Sequence, residues 1–330
     1  MKKKIMIAAV AILTLAASTG CKKEFNPSDP GALVPKTVDQ DPSIPSIAVN
    51  NSLLHAEAFG NPADPMVVYL HGGPGSDYRN AMQIKQLVQN SYYVVFYDQR
   101  GCGLSRRYDP DIYSSQLMFD DLTAVIDHYR TSATQKIFLF GHSWGAMLAA
   151  GYINAYPSRI SGAILSEPGG LEWESIKDYL KNSRKIELFK EALNDVLYID
   201  QFFTGKENQH EILDYKVGVR SAYTYSPGNP EGIEGPSPFW RHGAAILSGL
   251  MDLGEKQGLD YTTNLHQYQT KVLLLYGEKN TAYPDQHAQK QAAYFPNAQV
   301  HKIMGTGHEM IYFKWDSVYS VVLPYLDSLR

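Results

Sequence analysis

A chain of 330 residues, 44% hydrophobic and 12% aromatic with a formal net charge of −4, is long enough to bury one large core or a core with a sub-domain. Thirty basic residues against 34 acidic ones, with no long run of either sign, exclude the basic stripe that nucleic-acid phosphates require. The 23 tyrosines exceed what a core of this size needs, so some are expected to line a pocket.

The first 20 residues read as a targeting segment and are set aside from the fold. Lys2 to Lys4 form a basic start, Ile5 to Ala17 an apolar stretch too short to span a bilayer, and Ser18-Thr19-Gly20-Cys21 follows. This resembles a bacterial lipoprotein signal, which implies that Cys21 becomes an acylated, membrane-anchored first residue and that the protein is exported, to the periplasm or the cell surface. Ser18 stands where such signals usually carry leucine. Residues 21–44 carry Pro27, Pro30, Pro35 and Pro42 among polar residues and read as a flexible tether. The other cysteine is Cys102, so an acylated Cys21 leaves no intramolecular disulfide.

From Ile44 onward strands and helices alternate. Ile47 to Phe59 fits one or two strands, Met66 to Leu70 and Tyr92 to Tyr97 are apolar strands, and Arg79 to Gln89 between them is helix-like. Leu117 to Tyr129 is an amphipathic helix, Ile137 to Phe140 a buried strand, Ala146 to Tyr156 a helix and Ser161 to Leu165 another strand. That order implies an α/β fold with a mostly parallel sheet covered on both faces, spanning 45–170 and 263–330. Residues 171–262 break the pattern: helical segments at Ile176 to Asp200 and Phe239 to Lys256 and a Gly/Pro-rich loop from Ser226 to Pro238 predict an inserted helical cap. The sheet resumes at Val272 to Tyr276 and Gln299 to Ile303, and Ile311 to Leu329 closes the chain as a helix.

Chemistry concentrates at the ends of these strands. Gly141-His142-Ser143-Trp144-Gly145 lies between a strand and a helix, the context in which G-x-S-x-G forces a serine onto a strained turn with its hydroxyl above the sheet. His71-Gly72-Gly73-Pro74-Gly75 ends the Met66 strand, where glycine-rich backbone can aim N–H groups at a developing oxyanion. Gly73 and Trp144 are the candidate donors; a phosphate loop is excluded because the Walker lysine is missing. Gly305-Thr306-Gly307-His308-Glu309 follows the last strand, and His308 occupies the place of a general base. His71, His142 and His301 read as structural neighbours, and Cys102 as a packing residue.

Three motifs in this order, His71 to Gly75, Asp98-Gln99-Arg100-Gly101-Cys102-Gly103-Leu104-Ser105, and Gly141 to Gly145, resemble the proline iminopeptidase group of the α/β-hydrolase superfamily, the S33 type of serine peptidase. The resemblance covers about residues 60 to 170 and 270 to 310. It implies an α/β-hydrolase fold and an aminopeptidase releasing N-terminal proline or similar residues from short peptides, with no cofactor and no metal. Relatives with similar motifs act on esters and lactones, which is the alternative among enzymes. It also implies that acidic cap residues bind the substrate's amino terminus, for which Glu172, Glu174, Glu231 and Glu234 are the candidates. Asp98 and Arg100 read as a structural turn, since Asp98 comes too early for the serine, acid, histidine order of this fold.

The superfamily's usual acid follows the strand after the cap, and there the sequence has Asn280. In the serine-protease example an Asp-to-Asn change costs roughly 10⁴ in kcat, so another carboxylate is needed. Glu167, at the end of the strand after the elbow helix, is the preferred acid because certain haloalkane dehalogenases carry theirs at that place; Asp285 and Glu278 remain as alternatives. Chemistry with an aspartate nucleophile is excluded by the serine at 143. A binding protein that kept the fold but lost efficient catalysis is the second class of function.

Overall fold

The computed structural model describes residues 33–183, 203, 205–221 and 225–330. The targeting segment and Cys21 lie outside the described residues. Eight strands form one sheet in the order β1-β2-β4-β3-β5-β6-β7-β8. They are β1 (Ser46–Val49), β2 (Ser52–Phe59), β3 (Met66–Leu70), β4 (Tyr93–Tyr97), β5 (Ile137–His142), β6 (Gly162–Ser166), β7 (Val272–Gly277) and β8 (Ala298–Ile303). β1 and β2 are antiparallel to their neighbours and every other pairing is parallel. Asn50 and Asn51, at φ 44° and 59°, close the β1–β2 hairpin; asparagine tolerates the left-handed region that such a tight turn demands.

The central strands are buried along their whole length, the signature of a sheet with both faces covered. On β3, Met66, Val68 and Leu70 face one apolar cluster together with helices α1 (Ser115–Tyr129) and α2 (Trp144–Ala155). Val67 and Tyr69 face the other, shared with the 3₁₀ helix Arg79–Asn90 and the last helix of the chain. Helix α2 is buried on nearly every side, which its small residues permit: a Cβ on Gly151 would stand 2.8 Å from the Phe119 ring.

Between β6 and β7 the described residues hold α3 (Trp173–Asn182), α4 (Gln209–Ser221) and α5 (Ala244–Gln257) and add no strand to the sheet. The expected helix from Ile176 to Asp200 is seen to Asn182, and its remainder lies outside the described residues. The predicted helix start at Phe239 moves to Ala244, because residues 240–243 are used to dock the insertion. The buried Asp77 carboxylate accepts the Trp240 and Arg241 N–H groups at 2.6 and 3.1 Å, and the Gly243 N–H donates to the Gly75 carbonyl at 2.6 Å. A Cβ on Gly243 would lie 2.0 Å from the Gly101 carbonyl, so only glycine permits that approach.

After β7 come α6 (Asp285–Ala292) and, beyond β8, α7 (Met310–Phe313) and α8 (Trp315–Asp327). The single closing helix expected over 311–329 is therefore broken at Lys314. The tether requires correction as well. Residues 33–44 are packed against the domain: Val34, Thr37 and Val38 are buried, Val38 N–H donates to the Leu104 carbonyl at 2.8 Å, and Arg241 Nη1 donates to the Pro35 carbonyl at 2.8 Å. The two buried valines offset part of the cost of ordering this strap, and the backbone hydrogen bonds fix its path.

Candidate active site

Ser143 sits between β5 and α2 at φ 53° and ψ −121°, a conformation that non-glycine residues rarely adopt and that costs about 1–3 kcal/mol. Its neighbours make that turn possible. A Cβ on Gly141 would come 2.4 Å from the Gly145 carbonyl oxygen, and one on Gly145 would come 1.9 Å from the carbonyl of Leu70, at the end of β3. The Ser143 N–H is held by the Ser166 carbonyl at 2.8 Å, and its own carbonyl accepts Ala146 N–H at 2.9 Å to start the helix. Ser143 thus stands at the positive end of α2, and the Trp144 N–H, first in the helix, has no intrahelical acceptor to satisfy.

The glycine loop after β3 lies alongside. A Cβ on Gly72 would stand 3.1 Å from the Ser143 Cβ, and Gly73 adopts φ +120°. This loop is fixed by a side-chain network. Trp144 Nε1 donates to Gln99 Oε1 at 2.9 Å, Gln99 Nε2 donates to the His71 carbonyl at 2.9 Å, and the Gln99 N–H donates to His71 Nε2 at 3.0 Å. With Nε2 accepting, the His71 proton is on Nδ1 and donates to the Gly72 carbonyl at 2.9 Å. Burial lowers the His71 pKa, which keeps the ring neutral and the network intact. Asp98 and Arg100 take the turn role expected of them: Asp98 Oδ2 accepts Leu104 N–H at 2.8 Å, and Arg100 forks onto Asp121 with two contacts of 2.7 Å. Cys102 is fully buried, and burial pushes its thiol far above the ordinary range.

His308 and Glu167 meet beyond the carboxyl ends of the strands. Glu167, directly after β6, is completely buried and has φ +45°. Its Oε2 lies 2.5 Å from His308 Nδ1. Oε2 also accepts from Asn280 Nδ2 at 2.8 Å, and Oε1 accepts the Gly277 N–H at 2.6 Å. Three donors compensate a carboxylate that would otherwise be very costly to bury. The Glu167 N–H is itself tied to the Leu275 carbonyl at 2.9 Å, which locks the ends of β6 and β7 together. His308 is held through its backbone, donating to the Glu231 carbonyl at 2.9 Å, and its ring lies 4.7 Å from that of His142. Nδ1 is turned to Glu167, and His308 and Ser143 line the same cavity. The alternative acids face elsewhere: Asp285 pairs with Lys302 at 2.7 Å, and Glu278 accepts the Gly305 N–H at 2.8 Å.

That cavity has a volume of about 770 Å³. The glycine loop after β3, the Ser143 turn and His308 line one side of it, and the insertion supplies apolar walls from Trp173, Ile176, Leu180, Leu250 and Met251. Of the four acidic candidates, the structure brings Glu231 to the site, where it is buried in the cavity wall and accepts a hydrogen bond from Tyr179 Oη. The other three lie elsewhere. Glu172 precedes α3 without capping it and pairs with Lys290 at 2.8 Å, Glu174 pairs with Lys177 at 2.7 Å, and Glu234 faces Lys279 at 3.9 Å. Their charges are satisfied at the surface, which removes the reason to place them in a substrate site. Tyr179 was not expected: its Oη approaches His308 Nδ1 to 3.4 Å. The only available hint was a tyrosine excess, which says nothing about which tyrosine faces the site.

Comparisons with known proteins bear on the fold and on the broad class of hydrolase. The model of a family described as serine aminopeptidase, S33, matches residues 61–215. The chain is 26% identical over 284 residues to a proline iminopeptidase of Heyndrickxia coagulans, covering 80% of this chain and 91% of that protein. It is 25% identical over 276 residues to a cis-3-alkyl-4-alkyloxetan-2-one decarboxylase of Shewanella oneidensis, covering 79% of this chain and 81% of the relative. Among solved structures, an enol-lactonase from Burkholderia xenovorans superposes with a TM-score of 0.59, at 17% identity over 86% of this chain and all of that one. The fold is the α/β-hydrolase fold.

Proposed function

We propose that this chain is a serine hydrolase working through an acyl-enzyme, with Ser143 as nucleophile, His308 as general base and Glu167 as the acid. The observation that carries the reading is the buried Glu167 carboxylate bound to His308 Nδ1 at 2.5 Å, opposite a serine on a strained elbow. Glu167 holds the imidazole with its proton on Nδ1, so Nε2 takes the Ser143 proton as Oγ attacks the substrate carbonyl. The resulting imidazolium is stabilised by the carboxylate. The tetrahedral oxyanion is met by the N–H groups of Gly73 and Trp144 at the N-terminus of α2. His308 then protonates the leaving group, and water repeats the sequence in reverse to release the acid.

The proposed substrates are short peptides with a free amino terminus, from which proline or a similar residue is removed. Supporting this, Glu231 offers a buried carboxylate in a largely apolar wall, where a substrate ammonium group would gain a charge-assisted hydrogen bond. The apolar walls favour a second reading, an esterase or lactonase that needs no amine. A panel of proline and other amino-acid arylamides beside short p-nitrophenyl esters separates the two, and ester-only turnover rules out the peptidase. A catalytically weak binding protein is the third outcome, identified by failure of Ser143 to react with a fluorophosphonate. Export with a lipid anchor on Cys21, and the assignment of 171–262 as a cap, belong to the same proposal; metabolic labelling with a fatty acid, lost in Cys21→Ala, tests the anchor.

A further inference from the structure

Residues 239–243 of the insertion lie against residues 75–79, which complete and follow the glycine loop, and the two segments run in opposite directions. Arg79 Nη1 donates to the Phe239 carbonyl at 2.9 Å, the Trp240 and Arg241 N–H groups donate to Asp77 Oδ2 at 2.6 and 3.1 Å, and the Gly243 N–H donates to the Gly75 carbonyl at 2.6 Å. The Trp240 ring stands edge-on to His55 and Tyr78, with centroids 5.0 and 4.9 Å away. A Cβ on Gly75 would lie 2.3 Å from the Gly243 carbonyl oxygen, so the two backbones meet where only glycine fits. Phe239 and His242 of this clip also line the cavity.

One buried side chain joins the two segments. Asp77 Oδ1 accepts the Arg79 N–H at 3.0 Å and closes the turn that leaves the glycine loop, while Oδ2 takes the two N–H groups of the insertion. Between Asp77 and His71, which is tied to Gln99, lie only residues 72–76. Three of these are glycines, the residues with the widest choice of backbone conformation, so the course of the segment is set by what holds its ends. The core holds one end, and the insertion holds the other.

We propose that Asp77 is a positioning residue: through the clip it fixes the glycine loop so that the Gly73 N–H points at the developing oxyanion, which makes the docked insertion part of the oxyanion hole. This rests on hydrolysis by Ser143 with Gly73 as a donor. Misplacing such a group by about 1 Å costs on the order of 10² in rate. Asparagine at 77 would keep a single acceptor oxygen. Whichever way its amide turned, the NH₂ group would meet a backbone N–H that needs an acceptor, either that of Arg79 or those of Trp240 and Arg241.

Burial and the nearby Asp98 push the Asp77 pKa up to about 7, so the test is run above about pH 8, where the side chain is a carboxylate. D77N is compared with wild type in hydrolysis of p-nitrophenyl acetate and in inhibition by trifluoroacetone, whose adduct with Ser143 carries the oxyanion, with folding checked by thermal melting. The variant is expected to lose about 10- to 100-fold in kcat with KM within about threefold, and to bind trifluoroacetone more weakly by the same factor. A second measurement needs no variant. In wild-type protein, amide hydrogen exchange across 238–244, followed by mass spectrometry, is expected to slow at least about threefold when trifluoroacetone binds, because coupling between loop and clip is reciprocal. A folded D77N with kcat and trifluoroacetone affinity within about twofold of wild type overturns the proposal, as does a loss confined to KM or an exchange rate unchanged by trifluoroacetone. Wild-type protein that does not hydrolyse p-nitrophenyl acetate would instead overturn the function on which the proposal rests.

Discussion

The carboxyl ends of the strands and the insertion both border the cavity, and they are built differently. At the strand ends, Ser143, Glu167 and His308 are held by backbone: strand ends, left-handed turns and glycines into which no Cβ fits. In the insertion, helices α3 to α5 offer mostly apolar side chains, and the polar contact with the catalytic groups comes through Tyr179 and Glu231. On the proposed function, the first region carries the chemistry and the second the choice of substrate. Substitutions at the strand ends should then suppress every substrate alike, and substitutions in the insertion should separate one substrate from another.

The largest effect is expected at Ser143. S143A should reduce kcat on the order of 10⁶ for arylamides and esters equally, and a variant that spares one class would break the comparison. Next is the elbow's own geometry. G145A places a Cβ 1.9 Å from the Leu70 carbonyl, so loss of soluble protein or destabilisation above about 4 kcal/mol is expected in thermal or urea unfolding. In the insertion, E231Q keeps an acceptor for Tyr179 but removes the charge. It should raise KM for proline arylamides about 10- to 100-fold and leave ester KM within about twofold, the difference of a charge-assisted hydrogen bond. The smallest effect concerns His242, which lines the cavity and is pushed down to about 4 by burial, with Arg220 adding to the shift. Between the ordinary pKa of 6.5 and about 4 the unfolded chain binds a proton that the folded chain refuses, so stability falls as pH drops through that window. H242Q should show a shallower decline of Tm with acidification over the same range and an unchanged slope above pH 7.

The fold was legible because its signals are local and physical. Val-, Ile- and Leu-rich runs such as Val67-Val68 and Leu273-Leu274-Leu275 can be buried on both faces of a parallel sheet, and Gly141 and Gly145 flank a turn that other residues would block. The contact between Glu167 and His308 was anticipated through the resemblance, since Asn280 holds no charge and some superfamily members carry their acid at the strand end that Glu167 occupies. What stayed hidden depends on tertiary context. Nothing local distinguishes Glu231 from Glu172, Glu174 or Glu234; only the docking of residues 229–233 against the His308 loop turns one of them inward. Tyr179 looks like any helix tyrosine until α3 lies over the base. The strap at 33–44 was masked by its prolines and polar residues, while Val34 and Val38, which hold it, are too few to form a periodic pattern.

The central claim is that Ser143 is activated by His308 under the direction of Glu167. The most direct measurement is the rate at which a fluorophosphonate labels Ser143, followed by intact mass, in wild-type protein and in E167Q. The account expects stoichiometric labelling of the wild type and a rate about 10³-fold or more lower in E167Q of unchanged melting temperature. Equal labelling of the two proteins would contradict it.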